Sequence, residues 1–255
     1  MAKIIFLGTA SSIPTKNRDN TSFLFIHKDN FFLVDCPGSI TQKLLKADIN
    51  YKKLKNIIIT HQHPDHIYGI ISLIHTQCYF NDRLNIFSNI DVIKIIKKLV
   101  VMFKLNKKDY PKINYINVFN KKIFYNKGNL KILAIKNKHI KNSFGLKFIF
   151  GKKSVFFTSD TSFSKKLLDS VGKVDYIISD CTASSIFFKK YPSLYKMHTD
   201  SNTLANYMKD KKDTKLIPIH FLLLDSTELK RIKNELKILN KNLIIPKDFQ
   251  NIYIN

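Results

Sequence analysis

Arginine is almost missing from this chain of 255 residues: it stands only at Arg18, Arg83 and Arg231. That scarcity counts against bidentate, guanidinium-based recognition of phosphates as a general device. Cysteine is as sparse, and Cys36, Cys78 and Cys181 are odd in number and scattered. No disulfide framework follows, and reduced thiols in a cytoplasmic protein are the simplest expectation. No apolar stretch reaches the roughly 18 residues that span a bilayer, so no membrane partner is expected. The apolar run from Met1 to Leu7 is too short for a signal-peptide core and has no cleavage site after it. Repeats, low-complexity linkers and Pro/Gly-rich boundaries are absent as well. A single domain over residues 1–255 is the expectation.

What is abundant is lysine. Lys and Arg number 43 against 19 Asp and Glu, a formal net charge of +24. Such a surface suits a polyanion such as RNA, because phosphate contacts release counterions. Lys, Ile and Asn are enriched together, which an AT-rich genome also produces, so the charge leaves both readings open. A hydrophobic share of 44% and a charged share of 24% describe an ordinary globular chain.

Short apolar runs bounded by turn residues predict strands at Lys3–Leu7, Ser22–His27 and Phe31–Val34, with Lys28-Asp29-Asn30 as a hairpin turn. A helix is predicted over Ser39–Ala47, capped near Ser39 or Thr41. The β-branched run Asn56–Thr60 reads as a buried strand, Leu84–Phe87 as another strand, and Asp91–Phe103 as a helix. Strands follow at Tyr115–Phe119, Lys131–Ile135, Phe144–Phe150 and Ser154–Phe157, then a short helix at Ser164–Ser170 and a strand at Tyr176–Ser179. The chain continues with a helix at Asn202–Lys209, a strand at Lys215–Pro218 and an amphipathic helix at Thr227–Leu239, capped by Ser226 or Thr227. This order predicts an α/β fold: an αββα sandwich of two mixed β-sheets flanked by helices.

The strand Asn56–Thr60 runs into His61-Gln62-His63-Pro64-Asp65-His66. Alternate residues leaving a strand end point the same way, so His61 and His63 can grip one ion. Asp65 and His66 lie on the turn beyond and can face a second ion. Imidazole and carboxylate ligands suit zinc, and also manganese or iron. Two ions about 3.5–4 Å apart can share a hydroxide and clamp a phosphoryl or acyl centre. The plainer alternative is a surface loop with three incidental histidines, which the spacing argues against. His27 reads as a strand-end surface residue and His75 as a structural one.

This run resembles the signature of the metallo-β-lactamase superfamily. That family adds a further His, an Asp and a last His, each after a strand. Here His139 precedes Asn142-Ser143-Phe144-Gly145, Asp160 lies in Thr158-Ser159-Asp160-Thr161, and His220 follows Lys215–Pro218. Taken singly, His139 reads as a surface residue, Asp160 as a helix cap and His220 as a core histidine. As an ordered set they fit metal binding. The resemblance implies two divalent metal ions. One would sit on His61, His63, His139 and Asp160, the other on Asp65, His66, Asp160 and His220, with Asp160 bridging.

The segment Phe6-Leu7-Gly8-Thr9-Ala10-Ser11-Ser12-Ile13-Pro14-Thr15, with Arg18, Asn20 and Ser22, is similar to the start of ribonuclease Z, the tRNA 3′-end endonuclease. Asp35-Cys36-Pro37-Gly38 and the segment Lys138-His139 to Phe144-Gly145 are similar too. Met197-His198-Thr199-Asp200-Ser201-Asn202-Thr203 falls where phosphodiesterases of the superfamily carry a His that faces the scissile phosphate. The resemblance makes His198 the proton donor to the leaving oxygen, with Asp180 orienting it. Asp65 would position the attacking hydroxide, and Asp35 would brace the ligand loops from behind.

Two features depart from ribonuclease Z. Its long basic arm between the His139 and Asp160 slots is missing, since these residues are 21 apart (160 − 139). Asp180 also stands where that family has Glu. Both features look more like the phosphoribosyl cyclic phosphodiesterases, whose cysteine-rich zinc insert is absent here. The expectation is a metal-dependent phosphodiester hydrolase of the ribonuclease Z kind, acting on tRNA or other RNA. A small-molecule cyclic phosphodiesterase is the alternative. A thioester or lactam hydrolase and a non-catalytic nucleic-acid binder stand further off. A homodimer is implied by the resemblance alone.

Overall fold

Branched and aromatic side chains sort by strand face. In β1 (Ala2–Gly8), Ile4 and Phe6 enter one hydrophobic cluster while Ile5 and Leu7 enter another. A strand buried on both faces lies between two packed layers. In β2 (Ser22–His27) Phe23 and Phe25 go inward and Leu24 outward; in β3 (Asn30–Val34) Phe32 and Val34 go inward and Leu33 outward. The pattern repeats in β10 (Lys153–Phe157), β11 (Tyr176–Asp180) and β12 (Lys215–Ile219). There Val155, Phe157, Ile178, Ile217 and Ile219 face inward, and Phe156, Ile177 and Leu216 face a third cluster.

The computed structural model describes residues 1–255. Its first sheet adds β4 (Asn56–Ile58), β5 (Arg83–Ser88), β6 (Lys112–Asn117) and β13 (Asn251–Ile254), in the order β13-β1-β2-β3-β4-β5-β6. Pairing is antiparallel from β13 to β3 and parallel from β3 to β6. The second sheet adds β7 (Tyr125–Lys127), β8 (Leu130–Lys136) and β9 (Phe144–Phe150), in the order β12-β11-β10-β9-β8-β7. Its strands β10, β11 and β12 are parallel. The inner cluster of 23 residues lies between the sheets. Helices α1 (Ile40–Lys46), α3 (Ile70–Gln77) and α4 (Ile90–Met102) cover the first sheet. Helices α5 (Lys165–Ser170), α7 (Ser201–Met208) and α8 (Glu228–Leu236) cover the second. Two short helices, α2 (Pro64–Ile67) and α6 (Ser185–Lys190), complete the set. This is the αββα sandwich of mixed sheets expected from the order of elements.

Three local expectations need correction. His27 is buried rather than a surface residue: its Nδ1 meets the Met1 carbonyl at 3.0 Å and its Nε2 meets Asn129 Oδ1 at 2.8 Å. The long C-terminal helix stops at Leu236 and tightens into a 3-10 turn over Lys237–Asn242. Thr227 does not cap it through its side chain; Asp225 Oδ1 instead accepts from the Thr227 amide at 2.7 Å.

Candidate metal centre

Four strand ends converge on one rim of the sandwich. β4 leads to His61, β10 to Asp160, β11 ends at Asp180, and β12 leads to His220. Carboxyl ends of parallel strands are where α/β sheets present their ligands. Asp35, Ser159 and His220 sit here with φ of 58°, 53° and 66°, a left-handed conformation uncommon for side-chain-bearing residues. Such conformations cluster where a site dictates the backbone.

The hydrogen-bond order fixes which nitrogen each histidine offers. Thr60 Oγ1 donates to Asp35 Oδ2 (3.0 Å), so its contact with His61 Nδ1 (3.0 Å) must be donated by the ring. His66 Nδ1 donates to Asp35 Oδ2 at 2.8 Å, and His139 Nδ1 to the Met197 carbonyl at 3.0 Å. Thr182 Oγ1 donates to Asp180 Oδ1 (2.7 Å), so His220 Nδ1 donates to Thr182 at 3.2 Å. Each of these four rings therefore presents a bare Nε2, the form that binds metal. The hydroxyls of Thr60 and Thr182 and the Met197 carbonyl were not anticipated from the sequence.

These atoms form two clusters joined by Asp160. His61 Nε2 and His139 Nε2 lie 3.1 and 2.9 Å from His63 Nδ1, and each is 3.8 Å from Asp160 Oδ2. In the other cluster, Asp160 Oδ2 is 3.3 Å from His66 Nε2 and 3.0 Å from His220 Nε2. Asp65 Oδ2 is 3.5 and 3.8 Å from the same two nitrogens. The ligand atoms within each cluster lie within 4.8 Å of one another. Zinc held tetrahedrally at about 2.0–2.1 Å separates its ligand atoms by about 3.3 Å, in the middle of these distances. Buried His66 Nε2 and His220 Nε2 also lack any hydrogen-bond partner. Lone pairs facing one another in a dry site repel unless a cation lies between them. The donor set fits two divalent ions.

The electrostatics of the halves differ. Burial pushes the pKa of His61 well below its usual value and that of His139 down to about 4, so both rings stay neutral. Burial opposes charge on His220 too, but the Asp160 and Asp65 carboxylates outweigh it and raise its pKa to about 10. His66 is raised in the same way, against its burial, by Asp160 and Asp35. The second cluster thus demands positive charge, from protons or from a cation.

Beside the clusters stands a dyad. His198 Nδ1 donates to Asp180 Oδ2 at 2.9 Å, so the shorter Asp spans the gap. Asp180 is held by the Thr161 amide (3.0 Å) and the Thr182 hydroxyl (2.7 Å). The His198 ring centre lies 5.0 Å from that of His139 and 5.1 Å from that of His220. All nine residues expected from the sequence as metal ligands or catalytic groups, namely His61, His63, Asp65, His66, His139, Asp160, Asp180, His198 and His220, meet here. Asp35 lies directly behind His66. His75 is elsewhere, on α3, where Nδ1 meets the Tyr110 hydroxyl at 3.3 Å.

The architecture is that of known metallo-β-lactamase fold proteins. YhfI from Bacillus subtilis matches with a TM-score of 0.81 at 20% identity, over 98% of both chains. The short form of human tRNase Z matches with a TM-score of 0.79 at 17% identity, over 99% of both chains. Ribonuclease Z of Methanocaldococcus jannaschii is 30% identical over 141 residues, which are 54% of this chain and 44% of that protein. The match therefore spans less than half the length of that relative. Residues 2–221 match the family model described as Anti-Pycsar protein Apyc1, and the chain belongs to that family.

Proposed function

We propose that the protein is a metal-dependent phosphodiester hydrolase and that its substrate is a small cyclic phosphodiester. The observation that carries the reaction type is the His198–Asp180 dyad, closed at 2.9 Å beside the two ligand clusters. Hydrolysis of a phosphodiester needs a proton for the departing alkoxide, and an imidazole held by a buried carboxylate supplies one. Asp180 binds Nδ1, which leaves Nε2 of His198 as the nitrogen that hands over the proton. Asp65 has a partly exposed carboxylate at the edge of its cluster and would orient the attacking water and accept its proton. Bound divalent ions would supply Lewis acidity toward both the phosphoryl oxygen and that water. His61, His63, His139 and Asp160 would hold one ion, and Asp65, His66, Asp160 and His220 the other. Asp35 and Thr60 keep the His61 and His66 rings turned to present Nε2.

The substrate reading is supported by what lies between the His139 and Asp160 loops. β9 and β10 form a plain antiparallel hairpin joined by Gly151 and Lys152, with no arm beside the site to grip a folded RNA. A second reading, processing of tRNA 3′ ends, is favoured by the partial likeness to ribonuclease Z and by the net charge of +24. Assays with zinc or manganese on a cyclic nucleotide, a tRNA precursor with a 3′ trailer, bis(p-nitrophenyl) phosphate and a thioester separate these readings. Turnover of the cyclic nucleotide well above that of the tRNA precursor is expected. The reverse order favours the ribonuclease reading, and turnover of the thioester alone overturns the phosphodiesterase. Replacing His63 by Ala should remove metal and activity together; an active, metal-free chain would refute the mechanism.

A further inference from the structure

Helix α4 has two apolar faces. Val92, Ile93, Ile96 and Val100 are buried against the first sheet. On its outer side Ile95, Leu99 and Met102 follow one another at i, i+4 and i+7, which aligns them on one stripe. Ile95 is 36% exposed, and the helix ends in Val101, Met102 and Phe103 at 62%, 68% and 57% exposure. Three adjacent apolar side chains standing in water are costly unless something covers them.

Lysines surround this tip. Lys94, Lys97, Lys98, Lys104, Lys107 and Lys108 are all exposed, and none takes part in an ion pair. The acidic groups nearby are Asp91, which is bonded to Asn142 at the far end of the helix, and Asp109. Next to the tip, Leu105, Lys107, Lys108, Tyr110 and Tyr115 line a cleft of about 380 Å³. An apolar wedge inside a collar of cations that have no carboxylate partner has the chemistry of an interfacial anchor: the wedge enters the acyl boundary and the lysines meet anionic headgroups.

We propose that the α4 tip docks the protein on anionic lipid surfaces. No helix is long and apolar enough to cross a membrane, so this is surface association. A second copy of the chain would bring two lysine collars together, and like charges oppose that. RNA would find no arginine in the patch, and Val101 and Met102 would gain nothing from bases. The placement suits a surface enzyme. Asn89 caps α4 and bonds the Asn142 carbonyl close to the His139 loop at 3.1 Å. The helix has 13 residues, so the tip lies about 19 Å further along and the docked surface is separate from the metal rim.

The test uses the full chain and pelleting with vesicles of phosphatidylcholine, alone or with one-third phosphatidylglycerol. Binding is expected on the anionic vesicles, with an at least roughly tenfold loss in high salt or in neutral vesicles. Met102→Asp combined with Phe103→Asp should lower the bound fraction at least roughly tenfold, while circular dichroism and hydrolytic activity stay unchanged. The chain contains no tryptophan, so Phe103→Trp gives a single reporter whose emission should shift to the blue on anionic vesicles. Equal binding of the aspartate variant, or an unshifted tryptophan, overturns the proposal. So does a Phe103-dependent preference for an RNA oligonucleotide, or a dimer that the aspartate variant splits. None of these outcomes touches the hydrolase reading, on which the proposal does not rest.

Discussion

Replacing Asp180 by Asn keeps the shape of the side chain and removes its charge. In the native site Oδ2 accepts from His198 Nδ1 at 2.9 Å and from the Thr161 amide at 3.0 Å, while Oδ1 accepts from Thr182 Oγ1 at 2.7 Å. If the amide NH2 takes the Oδ2 place, it meets two donors. If it takes the Oδ1 place, Thr182 must reverse and loses its acceptor. Either way one buried bond to a charged group is lost, a cost of about 1.5–3 kcal/mol and hence several degrees in Tm. The kinetic effect should be larger and selective. Without the carboxylate His198 loses the acceptor that fixes Nδ1–H and aims Nε2 at the leaving oxygen, and general acid catalysis contributes about 10²–10⁴ to rate. kcat should fall at least about a hundredfold on a diester whose leaving alkoxide needs a proton. On bis(p-nitrophenyl) phosphate, whose phenolate departs without one, kcat should stay within about threefold. Metal content, measured by elemental analysis, should not change. Equal losses on both substrates would show that Asp180 serves the metal site or the fold rather than proton delivery, and the dyad reasoning would fail.

A Cβ at Gly69 would lie 2.0 Å from the Pro37 carbonyl, so Gly69→Ala must push α2 away from the Asp35 loop. An unfolding penalty of about 1–3 kcal/mol and weaker metal binding are expected in calorimetry and titration; an unchanged Tm would contradict the packing. Glu235 accepts from the Ser185 amide at 3.0 Å and from the Ser185 hydroxyl at 2.6 Å, tying α8 to α6, and Ser201 at the start of α7 also donates to it. Glu235→Ala should therefore lower stability by about 1–3 kcal/mol in urea titration, and a neutral result would place those bonds in water. In chelated protein, His139 has a pKa of about 4 when folded against about 6.5 when unfolded, so the unfolded chain binds its proton first. The His139 contribution should be full above about pH 6.5 and fall by about 3 kcal/mol as pH drops to about 4. His220, raised to about 10, has the opposite sign: its contribution is present below about pH 6.5 and fades as pH rises toward 10. A denaturation midpoint that is flat with pH would refute both assignments.

Much of the fold is legible because inward and outward residues alternate in β1, β2 and β3 and because turns punctuate them. The elements that escape local reading are instructive. Helix α3, Ile-Ile-Ser-Leu-Ile-His-Thr-Gln, is dominated by β-branched residues and has no side-chain cap. It is helical because Gly69 lets it pack closely on Pro37 and because Ile70, Leu73 and Ile74 reach the outer core. Strand β13 is four residues long and exists by pairing with β1, at the other end of the sequence. The metal ligands are legible as residue types at strand ends in a fixed order. Their tautomers are not: His139 depends on a carbonyl 58 residues away and His220 on a hydroxyl 38 residues away. The burial of His27 escapes the sequence for the same reason, since its partners Met1 and Asn129 are distant in sequence.

The ligand clusters draw on both sheets: His61, His63, Asp65 and His66 leave the first, whereas His139, Asp160 and His220 leave the second. Any ion seated there is a clasp between two halves that otherwise meet through the Phe23, Phe25, Phe148 and Phe157 core. Thermodynamic linkage then runs both ways. Ion at a hundred times its Kd would hold the sheets together by a further roughly 2.7 kcal/mol. Conversely, a cavity cut into the phenylalanine layer, remote from every ligand, would weaken ion affinity by loosening the docking that brings the ligands together.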